Sequence, residues 1–442
     1  MTESTDPFDH EPRCRDVRAG IVVTGNEVLN ATIRDENFPW LSGELASAGI
    51  ALAAVVVVPD DLESIIGALD YLASKGVDLI LTTGGLGPTE DDKTTAAVAA
   101  FAGRELVLDD VLEEKIRAIL ERYAAARGNE LPLEGLDAAN RKQAMIPEGA
   151  IALDPVGTAP GVVVEGPGGV VVVVLPGPPR ELRPMWETAT RTAPVAELSE
   201  LAGELELIRL RMFAVPESRL ALELERIGAD MGGFDGIEVT TCLRKGELEI
   251  DLRHRPAAAD AAAQLRERLV AAFPEATFSV DGSTIDEIVA RELVARGLTL
   301  AVAESCTAGL LASRLASLRG ASRYLAGGVV SYSNEAKVSV LGVPAGEIER
   351  YGAVSDEVAL SMANGVRERF GTDIGIAVTG VAGPDGGSPE KPVGFVCFQV
   401  VGGELGTLGA APTIPGSRND IRDRSALVAL HLLRSLLEGR AG

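Results

Sequence analysis

"LTLAVAESCTAGLLASRLA", residues 298–316, changes character at its middle. A short apolar strand up to Ala303 runs into Glu304, Ser305, Cys306 and Thr307 and then into a helix. A buried strand that hands over to a helix is the repeating unit of an α/β layer fold, in which crossover helices cover a mainly parallel sheet. The same alternation continues in "YLAGGVVSYS" (324–333), "TDIGIAVTGVAG" (372–383) and "VGFVCFQVV" (393–401), each read as a strand with helices between. The unit opens with the helix "TIDEIVARELVARG" (284–297) and closes with the amphipathic "DIRDRSALVALHLLRSLLEG" (420–439), in which His431 reads as a partly buried helix residue.

Working outward toward the N-terminus, "AGIVVTG" (19–25), "ALAAVVVVPD" (51–60) and "VDLILTTGG" (77–85) read as buried strands separated by helical stretches such as "LESIIGALDYLASKG" (62–76). They predict a second parallel, doubly wound sheet. In "APGVVVEGPGGVVVVVLPGPPRE" (159–181) two apolar runs flank a Gly-Pro-Gly-Gly turn, a hairpin ahead of the helix "PRELRPMWETATRT" (179–192). Residues 207–282 read strand, helix, hairpin, helix, strand, the split β-α-β order of small α+β modules with KH-like topology. Its "GGFDG" (232–236) reads as a plain turn, because the acidic centre does not suit an RNA-binding loop. The expected fold class is therefore α/β: two three-layer α/β domains, at 17–195 and 283–442, joined by a small α+β module at 207–282, after a flexible tail at 1–16.

Composition bounds the function. The 442 residues exceed what one core usually organises, which agrees with this division. A formal charge of −24 opposes any phosphate-tracking surface, so nucleic acid and anionic membrane are not expected partners. No apolar run is long enough to span a bilayer, and "MTESTDPFDHEPRCRD" is acidic where a signal peptide is basic and then apolar, so a cytoplasmic protein is expected. Cys14, Cys242, Cys306 and Cys397 form no CxxC pair, which points to neither a disulfide framework nor a thiolate zinc site. The only histidines, His10, His254 and His431, stand far from any serine or cysteine motif, which argues against a histidine-based triad.

A serine at a strand-to-helix turn is commonly a helix cap. The same position at the rim of a parallel sheet also suits a nucleophile, with N–H groups of the first helical turn ready for an oxyanion. Two further segments end at that rim: "SYSNEAK" (331–337), with Tyr332 and Lys337, and the Gly-rich "VTGVAGPDGG" (378–387). Without a histidine, the base available to Ser305 is a lysine held neutral by burial, Lys337, or the phenol of Tyr332. Cys306 is the rival nucleophile, since a thiol at a helix N-terminus has a lowered pKa. In the N-terminal unit, "TTGGLGPTEDDKT" (82–94) follows a strand and combines a glycine turn able to form a phosphate nest with two carboxylates able to hold a cation.

"AESCTAG" (303–309), "YSNEAK" (332–337), "GAVS" (352–355) and "GIAVTGVAGPDGGSPEKPVG" (375–394) resemble the nicotinamide-nucleotide amidase domain, the C-terminal part of the CinA family. The resemblance implies hydrolysis of nicotinamide mononucleotide to nicotinate mononucleotide and ammonia, without a cofactor. It implies Ser305 as acyl nucleophile with Lys337 and Tyr332 as the activating pair, and the backbone N–H groups of Cys306 and Thr307 as oxyanion donors. Asn334 would orient the lysine loop, and Thr379, Gly380, Ala382 and Gly383 would hold the substrate. Arg418 and Arg422 in "PGSRNDIRDR" (415–424) would meet its phosphate. The family commonly has glycine where Ala308 stands, so the added methyl is expected to narrow the pocket.

The string at 82–94, with "NRKQAMIPEGA" (140–150), "DPVGTAPG" (154–161) and "LPGPPREL" (175–182), resembles the CinA N-terminal domain, related to MoaB-type molybdopterin-binding proteins. This implies a nucleotide or phosphate loop at Gly84, Gly85, Gly87, Pro88 and Thr89 and a divalent metal on Glu27, Asp91 and Asp92. The implied activity is ADP-ribose pyrophosphatase, with a non-enzymatic molybdopterin-type binding or competence-related role as the alternative. Where the family reads Gly-Asp-Glu-Leu-Leu and then Gly, this chain has Asn26, Val28 and Ala31, which weakens a metal site. The family commonly forms homodimers, and one is expected here.

Overall fold

A computed structural model of the chain describes residues 16–127, 140–203 and 205–439. The tail assigned to 1–16 lies outside these residues except for Asp16. The chain divides into two compact units, 1–206 and 207–442. No described helix is long and apolar enough to cross a membrane.

The first unit contains β1 (Arg18–Thr24), β2 (Ala51–Val58), β3 (Leu79–Thr83), β4 (Leu106–Leu108), β5 (Met145–Pro147), β6 (Ile151–Leu153), β7 (Gly161–Glu165) and β8 (Val171–Leu175). Six of these form one sheet in the order β2-β1-β3-β8-β7-β6, while β4 and β5 make a separate two-stranded ribbon. The pairs β1/β2, β1/β3 and β3/β8 are parallel, and the β7/β8 hairpin and β6/β7 are antiparallel. The near-continuous apolar strands have a direct cause. Along β1, Ile21 and Val23 enter one core with Leu41, Leu182 and Trp186, whereas Val22 enters a second core with Ile65, Leu69 and Ile116. Helices therefore cover both faces, as a doubly wound sheet requires.

The second unit holds two sheets with separate cores. Strands β9 (Glu206–Phe213), β10 (Ile237–Arg244), β11 (Glu247–His254) and β12 (Thr277–Ser279) pair in the order β10-β11-β9-β12. Their inner residues Leu210, Met212, Leu248, Ile250 and Leu252 pack on Leu220, Ile227, Leu265 and Leu269 of two helices. The "GGFDG" turn caps the first of them, with Gly232 left-handed at φ 78° and the Gly233 N–H bonded to the Gly228 carbonyl. The other sheet contains β13 (Leu300–Glu304), β14 (Leu325–Val330), β15 (Ile374–Gly380), β16 (Val396–Val401) and β17 (Thr407–Ala410), in the order β14-β13-β15-β16-β17. Here β14, β13 and β15 are parallel; β16 and β17 add antiparallel edges, the last of them not evident in the sequence.

One face of that sheet is lined by Ala301, Ala303, Gly375 and Ala377, and the smallness lets the helix Asp356–Phe370 lie close. A Cβ on Gly375 would stand 2.1 Å from the Ala363 carbonyl oxygen. The opposite face carries Val302, Ile376, Val378 and Phe398 against the helices Ile285–Arg296 and Arg418–Leu437. The last helix also joins the two sheets of the unit. Its His431 is 3% exposed, stacks on Phe213 at 3.7 Å between ring centroids and donates to the Glu247 carboxylate at 2.7 Å. Burial pushes the His431 imidazole below its usual pKa, against the pull of Glu247.

Candidate functional site

Because β13, β14 and β15 are parallel, their C-terminal ends meet at one rim. Glu304 is level with Val330 on one side and Val378 on the other. Ser305 and Ser331–Lys337, which follow β13 and β14, therefore lie at one rim with Thr379 and Gly380 at the end of β15 and the loop 381–383 beyond it. Lys337, on the helix Asn334–Leu341, points back into this rim and is 1% exposed. Its Nζ lies 3.1 Å from Ser305 Oγ, 2.8 Å from the Ser331 carbonyl oxygen and 3.5 Å from the Tyr332 carbonyl oxygen. No carboxylate is among these partners. Burial pushes the amine below the usual lysine value of 10.5, with the Cys306 thiol working weakly the other way. A neutral amine has two N–H donors and one lone pair, so two carbonyls facing the donors leave the lone pair for the Ser305 hydroxyl.

The turn that carries Ser305 is pinned from three sides. The Ser305 N–H extends the sheet by bonding the Val378 carbonyl at 2.9 Å, and the Ala308 N–H closes on the Ser305 carbonyl at 3.2 Å. Glu304, 1% exposed, turns its carboxylate under the following helix and accepts from the N–H groups of Gly309, Leu311 and Ala312 at 2.8–3.1 Å. A carboxylate at a helix N-terminus is the natural partner of these donors. Sequence reasoning passed over Glu304; its signal was an acid ending an apolar strand just before a helix. Arg422 holds the other side, donating from Nε to the Cys306 carbonyl and from Nη2 to the Thr307 carbonyl, both at 3.1 Å.

Cys306 is 4% exposed, and burial pushes its thiol up to about 12, which keeps it protonated near neutral pH and removes the rival nucleophile's reactive form. Among the described residues, no backbone carbonyl takes the N–H of Cys306 or Thr307, and the Cys306 sulfur lies against both. Thr307 is wholly buried, whereas Cys306 and Ser305 keep 4% and 8% of their surface exposed. Tyr332 is 58% exposed, and its phenol oxygen accepts from Arg418 Nη2 at 3.0 Å; its main chain, not its ring, faces Lys337. Arg418 Nη1 also holds the Gly383 carbonyl at 2.5 Å. The Thr379 hydroxyl is buried and bonded to the Ala353 carbonyl at 2.8 Å, tying "GAVS" to the rim; Gly380 ends the same strand and Ala382 lies in the loop after it. Asn334 is exposed at the start of its helix, and the neighbouring Ser333 hydroxyl, not Asn334, supplies the cap.

Ala308 is exposed and adopts φ 49°, so its methyl acts on the backbone and not by narrowing a buried pocket. Ala31, the other position where the family pattern has glycine, adopts φ 55°. Both are left-handed, a region that costs a residue with a Cβ about 1 kcal/mol. Ala308→Gly is expected to stabilise the second unit by about 0.5–1 kcal/mol, read as a higher denaturant midpoint at unchanged m-value. A lower midpoint would show that the left-handed turn is not strained.

In the first unit, a cleft of about 760 Å3 opens at the ends of β1 and β3. Its floor is the predicted glycine turn: Gly84 and Gly85 have φ 103° and 66°, and a Cβ on them would lie 2.4 Å from the Thr24 carbonyl oxygen and 2.2 Å from Thr94 Oγ1. Glycine is required at both. The N–H groups of Gly85 and Gly87 have no protein acceptor among the described residues, as an anion nest requires. Pro88 and Thr89 are exposed at the edge of this turn. Buried Asn37 donates to Thr83 Oγ1 and the Gly177 carbonyl and keeps an unpartnered Oδ1 at the cleft wall.

The carboxylates Glu27, Asp91 and Asp92 line this cleft together with Asp60, which sequence reasoning missed. Burial raises the Asp60 pKa, and Glu27, Asp91 and Asp92 raise it further. They do not fit the divalent metal expected of them. Asp92 Oδ2 accepts from both the N–H and the hydroxyl of Thr89, and Asp60 Oδ2 accepts from the Asn26 N–H. Among the described residues no three His, Cys, Asp or Glu side chains stand where they could share one metal ion.

Fold and sites together define a two-site α/β protein, with a glycine-rich cleft in one unit and a buried serine–lysine pair in the other. Comparison with known proteins narrows the class. Residues 282–437 match the CinA C-terminal domain, and residues 20–194 match the probable molybdopterin binding domain. A CinA-like protein of Mycolicibacterium paratuberculosis is 52% identical over 432 residues, covering 95% of this chain and 98% of that protein. One from Mycobacterium tuberculosis is 49% identical over 427 residues, covering 96% and 98%. The chain belongs to the CinA family. Among solved structures, a competence/damage inducible protein of Agrobacterium tumefaciens is 37% identical, covering 35% of this chain and 96% of that one at a TM-score of 0.33. The molybdopterin biosynthesis enzyme MoaB of Thermus thermophilus is 26% identical, covering 42% and 96% at a TM-score of 0.28.

Proposed function

We propose that the second unit hydrolyses the carboxamide of nicotinamide mononucleotide to nicotinate mononucleotide and ammonia through an acyl-Ser305 intermediate. The observation that carries this reading is the 3.1 Å approach of a fully buried, carboxylate-free Lys337 amine to Ser305 Oγ. Lys337 takes the Ser305 proton as Oγ attacks the amide carbon, the Cys306 N–H receives the oxyanion, and Lys337 returns the proton to the leaving nitrogen. Water then repeats the sequence on the ester, with Lys337 again as base, and releases the carboxylate. Arg418, at the mouth of the site beside Tyr332 and Gly383, is the cation we assign to the phosphate.

The test is direct: the purified chain, stripped of metal by chelation, should release one ammonia per nicotinate mononucleotide formed. Binding of nicotinamide mononucleotide without turnover would remove this reading. For the first unit, the cleft with its open glycine N–H groups and the unpartnered Asn37 oxygen favours binding of a phosphorylated nucleotide such as ADP-ribose. Hydrolysis of its pyrophosphate is the reading that the carboxylate arrangement does not support. Calorimetric binding of ADP-ribose without AMP release in added divalent metal is the expected result, and metal-stimulated AMP release would reverse that ranking.

A further inference from the structure

Arg422 stands in the run that resembles phosphate-binding arginines, yet its guanidinium faces the protein. Nε and Nη2 each spend an N–H on a carbonyl of the nucleophile turn, Cys306 and Thr307, at 3.1 Å, across more than a hundred residues of sequence. The planar fork suits two carbonyls on adjacent residues and fixes two successive peptide planes at once. The plane before them, Ser305–Cys306, is held by the Ala308 N–H on the Ser305 carbonyl. In a trans peptide the N–H points opposite to the carbonyl oxygen, so the Cys306 N–H is directed away from that bond.

The helix that delivers Arg422 is itself held in place. Ser417 and Asp420 form a reciprocal cap at its start, and Asp423 pairs with Lys245 at 2.6 Å. Further along, His431 is locked between Phe213, Phe278 and Glu247. Arg422 thus projects from a fixed base.

We propose that Arg422 is a positioning residue of the amidase site: by clamping the Cys306 and Thr307 carbonyls it fixes the Thr307–Ala308 peptide, whose Ala308 N–H holds the Ser305 carbonyl, and through that bond the Ser305–Cys306 plane that carries the oxyanion donor. The proposal rests on the acyl-Ser305 reading above. It assigns the phosphate to Arg418 and takes Arg422 away from it. An oxyanion donor is worth about 10²–10³ in rate, and loosening one without deleting it costs less, on the order of 10- to 100-fold.

The experiment compares wild type, Arg422→Gln and Arg422→Lys on nicotinamide mononucleotide and on the phosphate-free nicotinamide riboside. It also follows amide hydrogen exchange of the peptide spanning residues 305–312. A clamp predicts kcat reduced about 10- to 100-fold on both substrates at nearly unchanged KM. It also predicts faster exchange in that peptide, with only partial recovery in Arg422→Lys, because an ammonium cannot hold two carbonyls in one plane. A defect confined to KM for the phosphorylated substrate, with unchanged exchange, makes Arg422 a phosphate ligand and overturns the proposal. If wild type turns over neither substrate, the amidase reading fails, and exchange at 305–312 alone decides whether the clamp exists. Should Arg422→Gln not fold, Arg422→Lys, which keeps the charge, carries the same comparison.

Discussion

Ser305→Ala is expected to abolish ammonia release from nicotinamide mononucleotide, by about 10⁴-fold or more, while Cys306→Ala keeps most of the activity. The two residues are neighbours in one turn, and the structure separates them by environment. Ser305 Oγ has a buried amine at 3.1 Å. Burial pushes the Cys306 thiol up to about 12 despite the nearby Lys337, so the thiolate that a cysteine hydrolase needs is scarce at neutral pH. Removing the sulfur leaves the Cys306 N–H in place, which is the part of the residue that the proposed mechanism uses. A steady-state ammonia assay decides the matter, and the reverse ranking would sink the serine mechanism.

Lys337→Met is expected to lower kcat by at least about 10³-fold with little change in nucleotide binding, since the side chain is nearly isosteric and loses only the base. Wild-type kcat should rise with pH as the amine deprotonates, along a limb centred below the ordinary lysine value of 10.5. Stability carries the same signature. With the folded pKa lowered, the unfolded chain binds more protons between the depressed value and 10.5, so folding is favoured as pH rises through that window. Wild type should therefore gain stability relative to Lys337→Met with increasing pH, by up to about 1.4 kcal/mol per pH unit. A stability difference independent of pH would mean that Lys337 is charged in the folded protein and unfit as a base.

Much of the site was legible because parallel α/β topology converts sequence into position. A residue just after an apolar strand must lie at the C-terminal rim, so Ser305, Lys337 and the loop after Thr379 could be brought together without coordinates. Long side chains obey no such rule. Whether Arg422 reaches outward to a phosphate or inward to Cys306 depends on a helix packed more than a hundred residues later, and the structure turns it inward. Tyr332 looked equivalent to Lys337 as a base, being near it in sequence, yet a helical turn buries one and leaves the other on the surface with Arg418. Glu304 was overlooked because a buried carboxylate is unexpected until the three N–H groups that satisfy it are seen.

The sequence by itself determined the two-sheet α/β plan, the glycine turn at 84–87 and the nucleophile turn at 304–309. Each rests on local terms: strand hydrophobicity, backbone freedom at glycine, and the abrupt change from strand to helix. Only the tertiary structure decided which hydroxyl lies beside the buried lysine, which thiol is kept protonated, and how the carboxylates at 27, 91 and 92 are spaced around the cleft. Those outcomes depend on burial and on hydrogen bonds between distant segments. In "AESCTAG" the motif places three candidate side chains at the rim, and the packing of Lys337 beneath Ser305 is what tells them apart.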